Sequence, residues 1–224
     1  MTRLLFVHLA KTGGTTVRRI LKASAANSFD CIHHHTLLRF QDGQRVERRR
    51  FAPKQLAPYA FAFLMVRHPL ARLISCYRYF SAGGLNAQAG EQQFPADRAA
   101  QQLLQQLAPN LEQCCFKLPE IAAELPHFQP MAHWLDALPN PLAERVITGR
   151  QERFDADLQL LFEQLDVPLD PALLQRSNSS SGPVQPSAPQ GAGLSAEALA
   201  QIQAFYADDF RRFHYPLAPE AAQR

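Results

Sequence analysis

No stretch of this 224-residue chain stays apolar over the length that a bilayer crossing requires. The opening apolar run, Leu4-Leu5-Phe6-Val7, leads at once into a polar loop with a lysine, which is not the layout of a secretory leader. Cysteine is scarce. Cys31, Cys76, Cys114 and Cys115 show no C-x-x-C spacing, and a bridge between the adjacent pair would be strained. These absences predict reduced thiols, no zinc site and a cytoplasmic location. A large excess of either charge is also missing: Lys and Arg number 23 against 20 Asp and Glu, for a net +3. This mild balance suits an anionic ligand, and no nucleic-acid partner is expected. No internal repeat is evident. With 46% hydrophobic residues the chain can bury a sizeable core, and residues 1–224 are expected to form a single domain.

The most informative stretch lies near the start. Leu4-Leu5-Phe6-Val7 reads as a buried strand, and Val17-Arg18-Arg19-Ile20-Leu21-Lys22 reads as a helix with apolar positions at 17, 20 and 21. Between them lies His8-Leu9-Ala10-Lys11-Thr12-Gly13-Gly14-Thr15-Thr16. Two glycines let the backbone approach a ligand and turn its N–H groups inward. The helix N-terminus adds partial positive charge, and Lys11 adds a full one. The candidate oxyanion ligands are Lys11, Thr12, Gly13, Gly14, Thr15 and Thr16. A Walker loop, G-x-x-x-x-G-K-[ST], is excluded because the lysine precedes the glycines and none lies upstream of it.

A second strand, 59–66, runs into Arg67-His68-Pro69-Leu70-Ala71-Arg72-Leu73-Ile74-Ser75-Cys76-Tyr77. Pro69 suits the first turn of a helix, where its missing N–H costs nothing. Arginine offers a rigid fork of donors to a phosphate, and Ser75, about two turns into the helix, adds a hydroxyl. Lys-Thr-Gly-Gly-Thr and Arg-x-Pro-x-x-Arg-x-x-Ser-x-Tyr, each following a strand, resemble two sites of sulfotransferases. These are the 5′-phosphosulfate loop and the 3′-phosphate site of enzymes that use 3′-phosphoadenosine 5′-phosphosulfate (PAPS). The resemblance implies that Arg67 and Ser75 hold the nucleotide's 3′-phosphate, with Arg72 a structural or electrostatic neighbour.

Later segments resemble the carbohydrate branch of that family, which includes heparan sulfate 2-O-sulfotransferases and bacterial relatives. They are 127–135, 146–158, the polar Ser177-Asn178-Ser179 and the closing 205–215. Relatives often carry proline where this chain has Ala10, and Asp where it has His68; the latter position is expected to tune the site. The resembled eukaryotic enzymes have a Golgi membrane anchor, so the expectation here is a soluble bacterial-type member.

Strands near 3–8, 60–66 and 144–148 alternate with helical stretches, as βαβ units require. With the resemblance, this predicts an α/β fold: a three-layer P-loop-like domain with a central, mostly parallel sheet flanked by helices. Phe154, Leu158, Leu161, Phe162 and Leu165 share one helical face, and Leu199, Ile202, Phe205, Tyr206, Phe210 and Phe213 share another. Ser195 and Glu197 are suited to cap the last helix. Residues 177–193, rich in Ser, Pro and Gly, read as a loop that is either a lid or plain surface.

Transfer to a hydroxyl needs a base. Histidine titrates near neutrality, and Asp30-Cys31-Ile32-His33-His34-His35-Thr36 lies where the resembled enzymes place their base histidine. In an extended segment His33 and His35 share a face and His34 points away. His35 is therefore the first candidate, His33 the second and His34 the third, with Lys11 stabilising the leaving phosphate. A solvated or metal-binding histidine run is the plain alternative. No metal is expected, because a sulfuryl group carries less charge than a phosphoryl group. The competing activities are a P-loop-like nucleotide kinase and a catalytically inactive nucleotide-binding module. The acceptor implied is a carbohydrate hydroxyl. Arg45, Arg48, Arg49, Arg50 and Lys54 form a basic run that reads as a solvated loop or as a dock for an anionic polysaccharide.

Overall fold

A computed structural model describes residues 3–24, 29–33, 36–41, 44–49, 56, 58–178 and 193–217. In chain order the strands are β1 (Leu4–His8), β2 (Phe29–His33), β3 (Thr36–Gln41), β4 (Gln44–Arg49), β5 (Phe61–Val66) and β6 (Val146–Arg150). The helices are α1 (Gly14–Ala23), α2 (Pro69–Ser81), α3 (Gly84–Gln88), α4 (Pro95–Leu107), α5 (Leu111–Phe116) and α6 (Leu118–Glu124). They continue with α7 (Ala132–Asp136), α8 (Phe154–Gln164), α9 (Pro171–Asn178), α10 (Ala196–Phe205) and α11 (Ala207–Arg212). None of the helices among the described residues is long and apolar enough to cross a membrane. The chain divides into two compact units, residues 1–67 with 133–186, and residues 68–132 with 187–224.

The first unit holds a six-stranded sheet in the order β4-β3-β2-β1-β5-β6. β2, β1, β5 and β6 run parallel, while β3 and β4 are antiparallel additions at one edge. The sheet is thus α/β and mostly parallel, as expected. Leu4, Phe6, Phe29, Cys31, Phe63 and Met65 alternate onto one face, where Val17, Ile20 and Leu21 of α1 and Leu158, Leu161 and Phe162 of α8 close over them. The opposite face, with Leu5, Val7, Ile32, Ala62 and Leu64, is buried too. Burial on both faces explains why β1 and β5 read as unbroken apolar runs.

Several expectations need correction. The strand expected near 144–148 runs 146–150, because β5 pairs Ala62 with Val146 and Val66 with Arg150, and residues 142–144 form a 3-10 turn before it. The basic run is strand, where a loop was one expectation: Arg45, Arg48 and Arg49 belong to β4 at the sheet edge. Arg50 and Lys54 lie outside the described residues. Ser177 and Asn178 are the end of α9, and 179–192 lie outside the described residues.

The second unit is helical. Its closing helical segment is two helices, since Tyr206 between α10 and α11 leaves helical geometry (φ −101°, ψ 23°). The apolar face survives the break: Ile202, Tyr206, Phe210 and Phe213 are all buried. Ser195 caps α10 as expected, its hydroxyl oxygen accepting from Ala198 N at 3.1 Å. The four cysteines are buried and form no disulfide, and burial pushes the Cys31 thiol up to about 12.

Candidate active site

The loop after β1 spans residues 9–13, between the last strand residue and the first turn of α1. Lys11 (φ 63°) and Gly13 (φ 86°) both take left-handed backbone. Glycine adopts that region freely, whereas lysine does so at a cost that the surrounding structure must hold in place. The Gly13 carbonyl accepts from Thr16 N at 3.0 Å and Val17 N at 3.2 Å, which starts the helix. Gly13 itself supplies no side-chain cap, and the first turn holds no acidic residue. The amides there and the helix dipole therefore favour an anion.

The residues expected at this loop fall into distinct places. Thr12 is fully buried, and its hydroxyl donates to Leu9 O at 3.0 Å, so that side chain braces the turn. Thr15 is exposed, and Thr16 and Lys11 are half-buried. Behind the loop stands the start of α8: a Cβ on Gly13 would lie 3.2 Å from the Phe154 ring. Arg67 follows the last residue of β5, the strand beside β1, and its Nη1 donates to Lys11 O at 3.4 Å. Lys11, the glycines and Arg67 are thus brought together at the carboxyl ends of adjacent parallel strands, where open α/β sheets bind ligands.

Ser75 sits half-buried in α2, in the second unit. One turn earlier, Arg72 is buried and donates to His127 O at 2.7 Å and Gln129 O at 2.9 Å. Asp209 accepts from Met131 N at 2.9 Å and Ala132 N at 2.7 Å, and Tyr206 donates to Phe128 O at 2.7 Å. Burial raises the Asp209 carboxyl, opposed by the Arg72 charge and those two backbone donors. Arg72 is therefore a structural clamp on residues 127–129, as Asp209 is on 131–132. His68 meets Pro216 O at 3.1 Å and packs edge-on against Phe210 and Tyr215, which makes it a packing residue of this unit.

The histidine run divides. His33 ends β2, and its Cα pairs with His8 of β1 on one side and Thr36 of β3 on the other. His34 and His35 lie outside the described residues. The expectation that His33 and His35 share a face therefore falls on residues outside the described ones, and β3 runs antiparallel to β2 from Thr36. His8 was not singled out from the sequence, yet it ends β1 and its ring lies against Gly14. The available signal was its position: the last strand residue before an anion-binding loop.

The sequence matches the profile of the Sulfotransferase family over residues 2–216, and the chain belongs to that family. Membership implies sulfuryl transfer to a hydroxyl-bearing acceptor. No curated protein and no solved structure matches the chain.

Proposed function

We propose that this chain moves a sulfuryl group from PAPS to a carbohydrate hydroxyl, with residues 1–224 acting as one sulfotransferase domain. In this reading it is a soluble, cytoplasmic, bacterial-type relative of the heparan sulfate 2-O-sulfotransferases. The observation that carries it is the loop after β1. There a lysine and a glycine in left-handed backbone open an uncapped helix start, and Arg67 bonds to the loop's own carbonyl.

The acceptor oxygen attacks sulfur in line, the bond from sulfur to the phosphate oxygen breaks, and a histidine takes the acceptor proton. His35 is the first candidate for that base, then His33, then His34. The Lys11 ammonium, the loop amides at Gly13, Gly14 and Thr15, and the Thr16 hydroxyl meet the charge that builds on the departing phosphate. The Thr12 side chain holds the turn, leaving its amide for the ligand. Arg67 and Ser75 bind the 3′-phosphate, which separates this nucleotide from ADP.

Calorimetry with 3′-phosphoadenosine 5′-phosphate (PAP) and with ADP, each with and without Mg²⁺, tests the donor. Much tighter, Mg²⁺-independent binding of PAP is expected. Equal affinity, or strict dependence on Mg²⁺, favours a kinase. A screen of sugar, lipid and phenolic acceptors with labelled PAPS, read by mass spectrometry, identifies the acceptor. Tight PAP binding with no labelled product from any acceptor class favours an inactive binding module.

A further inference from the structure

Gly14 opens α1, and its backbone is not left-handed, so conformation alone does not call for glycine there. A neighbouring ring does. A Cβ on Gly14 would lie 1.9 Å from His8 Cδ2 and 2.5 Å from His8 Nε2, far inside any permitted contact. The ring is held from below: it stacks on Phe6 at 5.7 Å and 17°, and Phe6 stacks on Phe63 in the core at 6.0 Å. His8 therefore stands between a fixed aromatic column and the first turn of α1, in the place a side chain at residue 14 would take.

We propose that His8 is a positioning residue of the oxyanion loop. Its ring is a wedge that sets the spacing between the end of β1 and the first turn of α1, and so aims the amides of that turn. Residues 8 and 14 are then a matched pair, one large and one absent. A misplacement of about 1 Å at such a site can cost on the order of a hundredfold. The nature of the ligand rests on the PAPS reading above; the wedge does not.

The test is a double-mutant cycle on His8→Ala, Gly14→Ala and the combined variant, with His8→Gln as the variant that refills the space without a ring nitrogen pair. Two probes are titrated into each: inorganic pyrophosphate, which needs only the loop, and PAP. Thermal melting without ligand confirms folding. His8→Ala should weaken both probes by about tenfold and raise KM for PAPS while KM for the acceptor stays put. His8→Gln should stay within about threefold of the parent. Gly14→Ala should be the worst binder, and adding His8→Ala to it should restore much of the loss. The proposal is overturned if His8→Ala binds pyrophosphate like the parent, if His8→Gln is as poor as His8→Ala, or if Gly14→Ala is equally poor in both backgrounds. Should His8→Ala fail to fold, the Gln variant and the combined variant decide. A parent protein that binds pyrophosphate but not PAP overturns the PAPS reading and leaves the wedge judged on pyrophosphate; one that binds neither overturns both.

Discussion

At Lys11, backbone and side chain make opposite demands. Holding a lysine at φ 63° costs on the order of 1 kcal/mol, and glycine would remove that cost. Only lysine, however, brings an ammonium to the loop. Lys11→Ala should lower turnover at saturating substrates by about 10²–10³-fold, the usual loss for one transition-state donor, with a smaller effect on PAP affinity. Lys11→Gly should lose as much turnover yet be as stable as the parent or more so in urea melts. Native turnover in either variant would remove Lys11 from the chemistry. The base makes a separate demand. The pH–rate profile should show an acidic limb from a group that must be deprotonated, and His35→Ala should abolish most transfer with PAP binding intact. If the single variants of His33, His34 and His35 all keep native turnover and that limb, the base lies elsewhere.

Elements were legible where burial or punctuation left a period in the sequence. β1 and β5 are buried on both faces and read as apolar runs; α1 and α8 bury one stripe each, and Pro69 marks the start of α2. The edge hairpin was harder to read, because arginines dominate β4 and leave little alternation. The Asp42-Gly43 pair between β3 and β4 was the available signal, being a common two-residue hairpin turn. The offset of β6 and the split between α10 and α11 come from pairing and packing with distant residues, which no local window contains. The site divides the same way. The loop, Arg67 and Ser75 follow a motif, whereas the Thr12 bond to Leu9, the Arg72 clamp and the His8 wedge need coordinates. A cap is a local matter and gives a local prediction. Ser195 accepts from Ala198 N, and its hydroxyl donates to Glu112 of α5. Ser195→Ala should cost about 1–2 kcal/mol in denaturant melts while PAP affinity stays unchanged. A loss of PAP affinity without loss of stability would show that the cap serves the site and not α10.

Over the whole molecule, binding and stability are linked. The family profile runs through both compact units, from residue 2 to residue 216, so the linkage is tested on the whole chain. A ligand that binds only the folded state at a hundred times its Kd adds about 2.7 kcal/mol. For a chain of this size that corresponds to a rise of about 5–10 °C in Tm. PAP should produce such a rise without Mg²⁺, and ADP at the same concentration should produce much less, because it lacks the group that Arg67 and Ser75 are proposed to bind. Arg67→Ala and Ser75→Ala should then cut the PAP shift toward the ADP value. The Ser75 variant should leave the ADP shift itself unchanged, since a lost 3′-phosphate contact cannot matter to a ligand without that phosphate. The Arg67 variant should lower both shifts somewhat, because Arg67 also donates to the Lys11 carbonyl and so steadies the loop proposed to hold the 5′ end. If Ser75→Ala lowers the PAP and ADP shifts equally, Ser75 supports the fold or a shared part of the nucleotide, and its assignment to the 3′-phosphate is wrong.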